Sequence, residues 1–334
     1  MSFWAKSIEG SPLRSSETMK LVLVAPGYKS FPPRGWGAVE SIVWDYYQNL
    51  KKRSVDVHIV NTTNPNQMVS ECNAHLADIV HIMYDDHIII APYLQCKKIY
   101  YTSHYAYITH PTFQTSYPWY YNNIFKKVIE YQDRIIIHAI SAQIADIYRQ
   151  HGFLGKINIV RNGAREDCFR YTTTPAYPHK SVYVAKVEFR KGQHVYQCIS
   201  NIDFVGNYHD SPFDTRAKNY LGEWDKPTLY ANLTDYANLV LLSDGEADPL
   251  VVKEALIAGL GVVISECASA NLDLTRPYIT VVPNEKRGDL DYVKRAIIHN
   301  RIQSLQHRGA IREYGLTTFA WDKVIDKYIE MVSI

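Results

Sequence analysis

The chain lacks any long apolar run. Nothing in its 334 residues approaches the ~20 consecutive apolar residues of a membrane-spanning helix, and the first residues lack the apolar stretch of a secretory signal. A cytoplasmic location is expected, with peripheral contact to a membrane surface left open. An excess of one charge is also missing: 36 Lys and Arg stand against 34 Asp and Glu, a net charge of +2. Both signs are scattered along the chain, which gives no footprint for nucleic acid and argues against it as a partner. The five cysteines, Cys72, Cys96, Cys168, Cys198 and Cys267, are odd in number and form no Cys-x-x-Cys pair. They read as reduced structural thiols and not as a zinc or dithiol motif. No Gly-x-x-x-x-Gly-Lys-Ser/Thr loop and no Gly-x-Ser-x-Gly elbow is present, which disfavours a P-loop nucleotidase and an α/β-hydrolase. The Asp-x-Asp triplet at Asp289 and Asp291 precedes a helical stretch and reads as a solvated acidic turn. With no histidine-rich cluster beside it, no essential metal is expected.

What is present suits a globular chain of two domains: 46% hydrophobic and 21% charged residues over 334 positions. Residues 1 to 19 are polar and turn-rich and are expected to form a flexible extension, with Met19 a candidate natural start. From Lys20 onward short β-branched runs alternate with longer amphipathic ones, the pattern of a doubly wound parallel sheet. Residues 20–25, 55–60, 78–83, 97–102, 134–139 and 156–160 read as strands of a first sheet. The polar stretch YTTTPAYPHK at 171–180 interrupts the pattern like a linker. A second set of strands follows at 181–186, 202–206, 228–231, 238–243, 261–265 and 278–282. The expected fold class is α/β, with two Rossmann-like doubly wound domains facing a central cleft, where such folds bind ligands.

The strongest local signal is LLSDGEADPLVVKEALIAGLGVVIS at 241–265, a strand, a polar loop, a helix and another strand. Pro249 suits the first helical position, Asp248 the cap, and Gly259 and Gly261 the far end. Glu246 in the loop and Glu254 in the helix can reach one pocket at the helix N-terminus. Free N–H groups there suit a diphosphate, and carboxylates suit sugar and ribose hydroxyls. Spacing alone fits an exposed loop glutamate and an ordinary helix-surface glutamate equally well.

Ser243, Glu246, seven intervening residues, Glu254, Ala255, Gly259 and Gly261 resemble the acidic signature of glycosyltransferase family 4, which has the GT-B fold. Other stretches resemble that family in the same order. PRGWGAVES at 33–41 is similar to its glycine-rich phosphate-side loop, with Gly37 at the helix start. His81 and His104 stand at strand ends like its third and fourth, and Asn162, Gly163 and Phe169 resemble the stretch that closes its first domain. VYVAKVEFRKG at 182–192 looks like the opening of its second domain, where Lys186, Lys191 and Gly192 would face the diphosphate. Gly206 ends the next strand, and FAWDKVIDKY at 319–328 resembles its final helix.

The resemblance implies an acceptor domain over 20–168, a nucleotide-sugar domain over 169–318, and a helix over 319–334 that crosses back. It implies a retaining transferase that moves a sugar from a nucleotide diphosphate sugar, UDP- or GDP-linked, to a glycan, lipid or protein, with the donor as substrate and no cofactor. His104, Glu246 and Lys191 are the expected catalytic residues. Gly37, Lys186, Lys191, Gly206, Leu250, Val251 and Glu254 are expected to hold the donor. Tyr117, Trp119, Tyr120 and Tyr121 read either as an acceptor platform or as packing of a loop on the first domain. Two departures stand out. Asp248 and Pro249 replace the family's glycine-containing turn, setting a negative charge where a diphosphate would approach, and the segment between Gly192 and Phe204 is short. They keep open a non-catalytic GT-B protein that binds sugar nucleotides or glycans, beside a GT-B epimerase.

Overall fold

The computed structural model describes residues 19–35 and 37–333. The extension expected over the first 18 residues lies outside the described residues. The β-branched runs of the first half become β1 (Lys20–Val24), β2 (Asp56–Val60), β3 (Ile79–Ile82), β4 (Lys98–Tyr101), β5 (Ile135–Ala139) and β6 (Ile157–Ile159). They form one parallel sheet in the order β2-β1-β3-β4-β5-β6. Alternate residues point to opposite faces, as a period of two requires. Val22 and Val24 join one apolar cluster, and Leu21 and Leu23 join the other. Each fully buried aliphatic side chain of this kind contributes roughly 1.5–3 kcal/mol of transfer free energy.

The second half supplies β7 (Tyr177–Val184), β8 (Val187–Glu188), β9 (Ile202–Val205), β10 (Tyr208–Asp210), β11 (Tyr236–Leu241), β12 (Gly261–Ser265) and β13 (Ile279–Val282). Five of them make a second parallel sheet in the order β13-β12-β11-β7-β9, and β8 pairs with β10. The order reverses between β1 and β3 in the first sheet and between β7 and β11 in the second. Those are the points where doubly wound folds leave a crevice beyond the strand ends.

The strand expected at 228–231 is instead a helix, Lys226–Asn232. Asp225 caps it by accepting from the Thr228 amide at 2.9 Å, and Pro227 lies in its first turn. A cap and a proline outweigh the β-propensity of so short a run. The linker expected at 171–180 already enters β7 at Tyr177.

The chain leaves the first core at Val160 and enters the second at Ala164. It returns beside the same point: Ala164 and Ala320 form a parallel bridge. The last helix, Trp321–Ser333, buries Trp321, Val324, Ile325, Tyr328 and Val332, an i, i+3, i+4, i+7 stripe. These side chains pack in the first domain with Leu21 and Tyr46. Gly163 lies so close to this helix that a Cβ there would stand 2.5 Å from Trp321 Cδ2.

Candidate active site

The loop after β11 is held between the two domains. Ala247 packs into one apolar cluster of the first domain, and Leu250 against the other. This wedge places a cavity of about 570 Å³ between the carboxyl ends of the two sheets. Gly37 and His104 border it from the first domain; Lys186, Lys191, Glu246, Leu250, Val251 and Glu254 border it from the second. Gly206 does not. A Cβ on Gly206 would lie 1.8 Å from the Ala185 carbonyl oxygen, so this glycine lets two strand ends meet, and its neighbour Asn207 borders the cavity.

Three carboxylates in the cleft are neutralised by cations that also border it. Glu246 accepts from Lys191, and Arg190 Nη1 stands 3.9 Å from its other oxygen. Burial alone would push the Glu246 carboxyl up, but Lys191 and Arg190 outweigh it and hold it below its usual range. Glu254 accepts from Lys226 Nζ at 3.1 Å. Glu188 pairs with Arg190 at 2.7 Å and with Lys186 at 3.5 Å. The Lys191 backbone is fixed from behind, its carbonyl accepting from the Tyr183 hydroxyl at 2.5 Å.

The helix that follows runs from Leu250 to Ile257, with Pro249 in the cap position. It therefore starts one residue later than the sequence suggests, and Asp248 is not its cap. The Asp248 carboxylate is taken up elsewhere: it accepts from Lys253, from the Asn162 amide at 3.0 Å and from Asn271 Nδ2 at 3.1 Å. Among the described residues no side chain caps the helix, and the first amides of a helix have no partner within it.

On the opposite wall, helix Ala38–Lys52 also starts without a side-chain cap, at Gly37. A Cβ on Gly37 would meet Glu40 Oε2 at 2.8 Å and Lys29 Nζ at 3.0 Å. Lys29 borders the cavity too. Asn61 clamps the loop that carries it, accepting from the Gly27 amide at 3.0 Å and donating to the Lys29 carbonyl at 2.9 Å.

His104 lies just past β4. Its backbone amide donates to Asp85 Oδ2 at 3.0 Å. Asp85 is itself buried and accepts from Tyr101, Ser103 and Tyr120 at 3.2, 2.5 and 2.9 Å. Burial lowers the His104 imidazole to about 4, so it is neutral near pH 7. Its Nε2 is buried with no hydrogen-bond partner among the described residues. His81, by contrast, belongs to the core: it bonds Tyr328 at 3.1 Å and Thr102 at 2.8 Å. Of the candidate aromatic platform, Tyr120 is buried in the first-domain core while Trp119 is exposed.

Arg190, Lys226, Lys29, Asp85 and Tyr183 were not singled out by sequence reasoning. Arg190 lies inside the stretch 182–192 and adjoins Lys191, and that adjacency is the signal that could have found it. Lys226 and Lys29 reach the cleft through folding of segments far from the acidic motif, and no local pattern marks them.

The same architecture occurs in solved structures. HepE of Anabaena in complex with UDP and glucose is similar with a TM-score of 0.68 at 13% identity, over 94% of this chain and 99% of that one. Sucrose-phosphate synthase of Thermosynechococcus elongatus is similar at 0.69 and 12% identity, over 94% and 98%. The apo form of the lipopolysaccharide outer core galactosyltransferase WaaB is similar at 0.61 and 13% identity, over 94% and 100%. These likenesses establish the fold as GT-B, two Rossmann-like domains about a cleft. No protein-family model and no curated protein matches the sequence. Among the described residues no helix is long and apolar enough to cross a membrane.

Proposed function

We propose that this chain is a glycosyltransferase that takes its sugar from a nucleotide diphosphate sugar. The observation that carries the reading is the convergence, in one interdomain cavity, of Glu246, Glu254, Lys191 and the uncapped start of helix Leu250–Ile257. Glu254 accepts from the ribose hydroxyls, displacing Lys226, and Glu246 from hydroxyls of the donor sugar. Lys186, Lys191 and the Leu250 and Val251 amides hold the diphosphate. When the bond between the anomeric carbon and the diphosphate breaks, the electron pair leaves with the phosphate oxygen. The same donors stabilise that growing charge, the effect usually largest in such reactions. His104, neutral and with one ring nitrogen free, contacts the sugar or orients the acceptor hydroxyl from the first domain. The resemblance to glycosyltransferase family 4 supports transfer with retention, without a metal or cofactor. The GT-B neighbours solved with UDP support a UDP-linked donor, and the acceptor is a glycan, lipid or protein hydroxyl.

Calorimetry of the full chain with UDP, GDP and their hexose conjugates tests the donor, and a transfer and hydrolysis assay tests the chemistry. Binding of one diphosphate family with turnover is expected, and E246A is expected to fold, bind nucleotide and lose transfer. Absence of binding to every nucleotide removes the proposal. Binding without turnover reduces it to a sugar-nucleotide-binding protein.

A further inference from the structure

Among the described residues, four that border the cleft carry carboxylates: Glu188, Glu246, Asp248 and Glu254. Three are paired with Lys186, Arg190, Lys191 and Lys226, cations that border it as well. A ligand entering the cavity can compete for those cations. Asp248 differs. Its partner Lys253 lies outside the cavity lining, and the two side chains are 0% and 1% exposed. The Asp248 residue is 5% exposed, so what it shows to the cleft is backbone.

The carboxylate is held on every side. One oxygen accepts from Lys253 and from Asn271 Nδ2 at 3.1 Å; the other accepts from the Asn162 amide at 3.0 Å. Asn271 Nδ2 also donates to the Ile140 carbonyl at 2.8 Å, tying this cluster to the first domain. The Lys253 ammonium lies 5.6 Å from the centre of the Phe319 ring, a cation–π distance. A charge left free beside the Leu250 and Val251 amides would oppose a bound diphosphate, and the low dielectric there magnifies it.

We propose that Lys253 is the permanent internal counter-ion of Asp248, a positioning residue that turns this carboxylate away from the cleft and so lets an aspartate precede the phosphate-facing helix. The proposal rests on the reading that the cleft takes a nucleotide diphosphate. Lys253 itself touches no ligand. Its action is confined to the diphosphate, so the nucleoside part of a ligand does not sense it.

Calorimetry with UDP and GDP, and NMR titration with uridine and guanosine, test this on the native chain, K253M, K253Q and the double variants D248N/K253M and D248N/K253Q. K253M is expected to weaken the preferred diphosphate about tenfold or more while the matching nucleoside is unchanged. Replacing Asp248 as well is expected to recover the diphosphate to within about threefold, because no charge is left to mask. If K253M does not fold, K253Q, which can still donate to Asp248, carries the comparison. If neither single variant folds, the double variants decide: weak diphosphate binding by a folded double variant overturns the proposal. Equal loss of nucleoside and diphosphate in the single variant, or no recovery in the double, also overturns it. Failure of the native chain to bind UDP or GDP overturns the underlying reading instead.

Discussion

Tyr107 of the first domain lies directly against Gly245 of the second. A Cβ on Gly245 would stand 2.6 Å from Tyr107 Cε1, and the Arg190 guanidinium carbon lies 6.0 Å from the centre of the same ring. Arg190 donates to the Gly245 carbonyl at 2.5 Å. The cleft is thus braced beside Glu246 by an aromatic side chain that only glycine admits. G245A is expected to destabilise the chain by about 1–3 kcal/mol and to weaken nucleotide binding. In a Y107A background the same substitution is expected to cost less. Urea denaturation of the four chains of the double-mutant cycle measures the coupling.

Glu254 and Lys226 give a sharper test of ligand chemistry. If Glu254 accepts from ribose, E254Q costs about 1.5–3 kcal/mol in binding of a ribonucleotide, a charged acceptor being replaced by a neutral one. The preference for UDP over its 2′-deoxy counterpart is expected to shrink in E254Q. Calorimetry with both nucleotides reads it directly.

His104 carries a pH signature. Burial holds its folded-state value at about 4 against 6.5 in the open chain. Between those values the unfolded chain binds a proton that the folded chain refuses, so stability falls as pH drops through that window and is unaffected above it. The urea midpoint of H104Q is therefore expected to fall less than that of the native chain between pH 7 and pH 5. The dependence of nucleotide binding on pH is expected to show no step from His104 between pH 6 and 8.

Gly163 and Trp321 join the crossover to the last helix. With a Cβ placed 2.5 Å from Trp321 Cδ2, G163A is expected to lower stability by about 1–3 kcal/mol and to broaden the unfolding transition as the two domains lose their shared fastening. Calorimetric melting distinguishes one transition from two.

Much of this architecture was legible from β-branched runs alone, because strands buried on both faces read as near-continuous apolar segments. Glu246 and Glu254 could be picked out by motif, since a loop and the helix after it are local in sequence, and Lys191 by its own stretch at 182–192. The helix at Lys226–Asn232 was misread because four residues of mixed propensity say less than the Asp225 cap and Pro227 in front of them. Asp248 was misread for a different reason. Its partners Asn162 and Asn271 are 86 and 23 residues away, and only the folded chain shows that its charge is turned inward. Lys253, five residues on, is indistinguishable in sequence from a surface lysine; burial against Phe319 is what sets it apart.

In the proposed reaction a nucleotide diphosphate lies between Lys191 and the start of helix Leu250–Ile257. A crystal soaked with whichever of UDP or GDP binds in calorimetry tests it directly. Phosphate density is expected within hydrogen-bond distance of the Leu250 and Val251 amides and Lys191, with Glu254 on the ribose. Nucleotide density elsewhere, or a diphosphate pointing away from this helix, would contradict it.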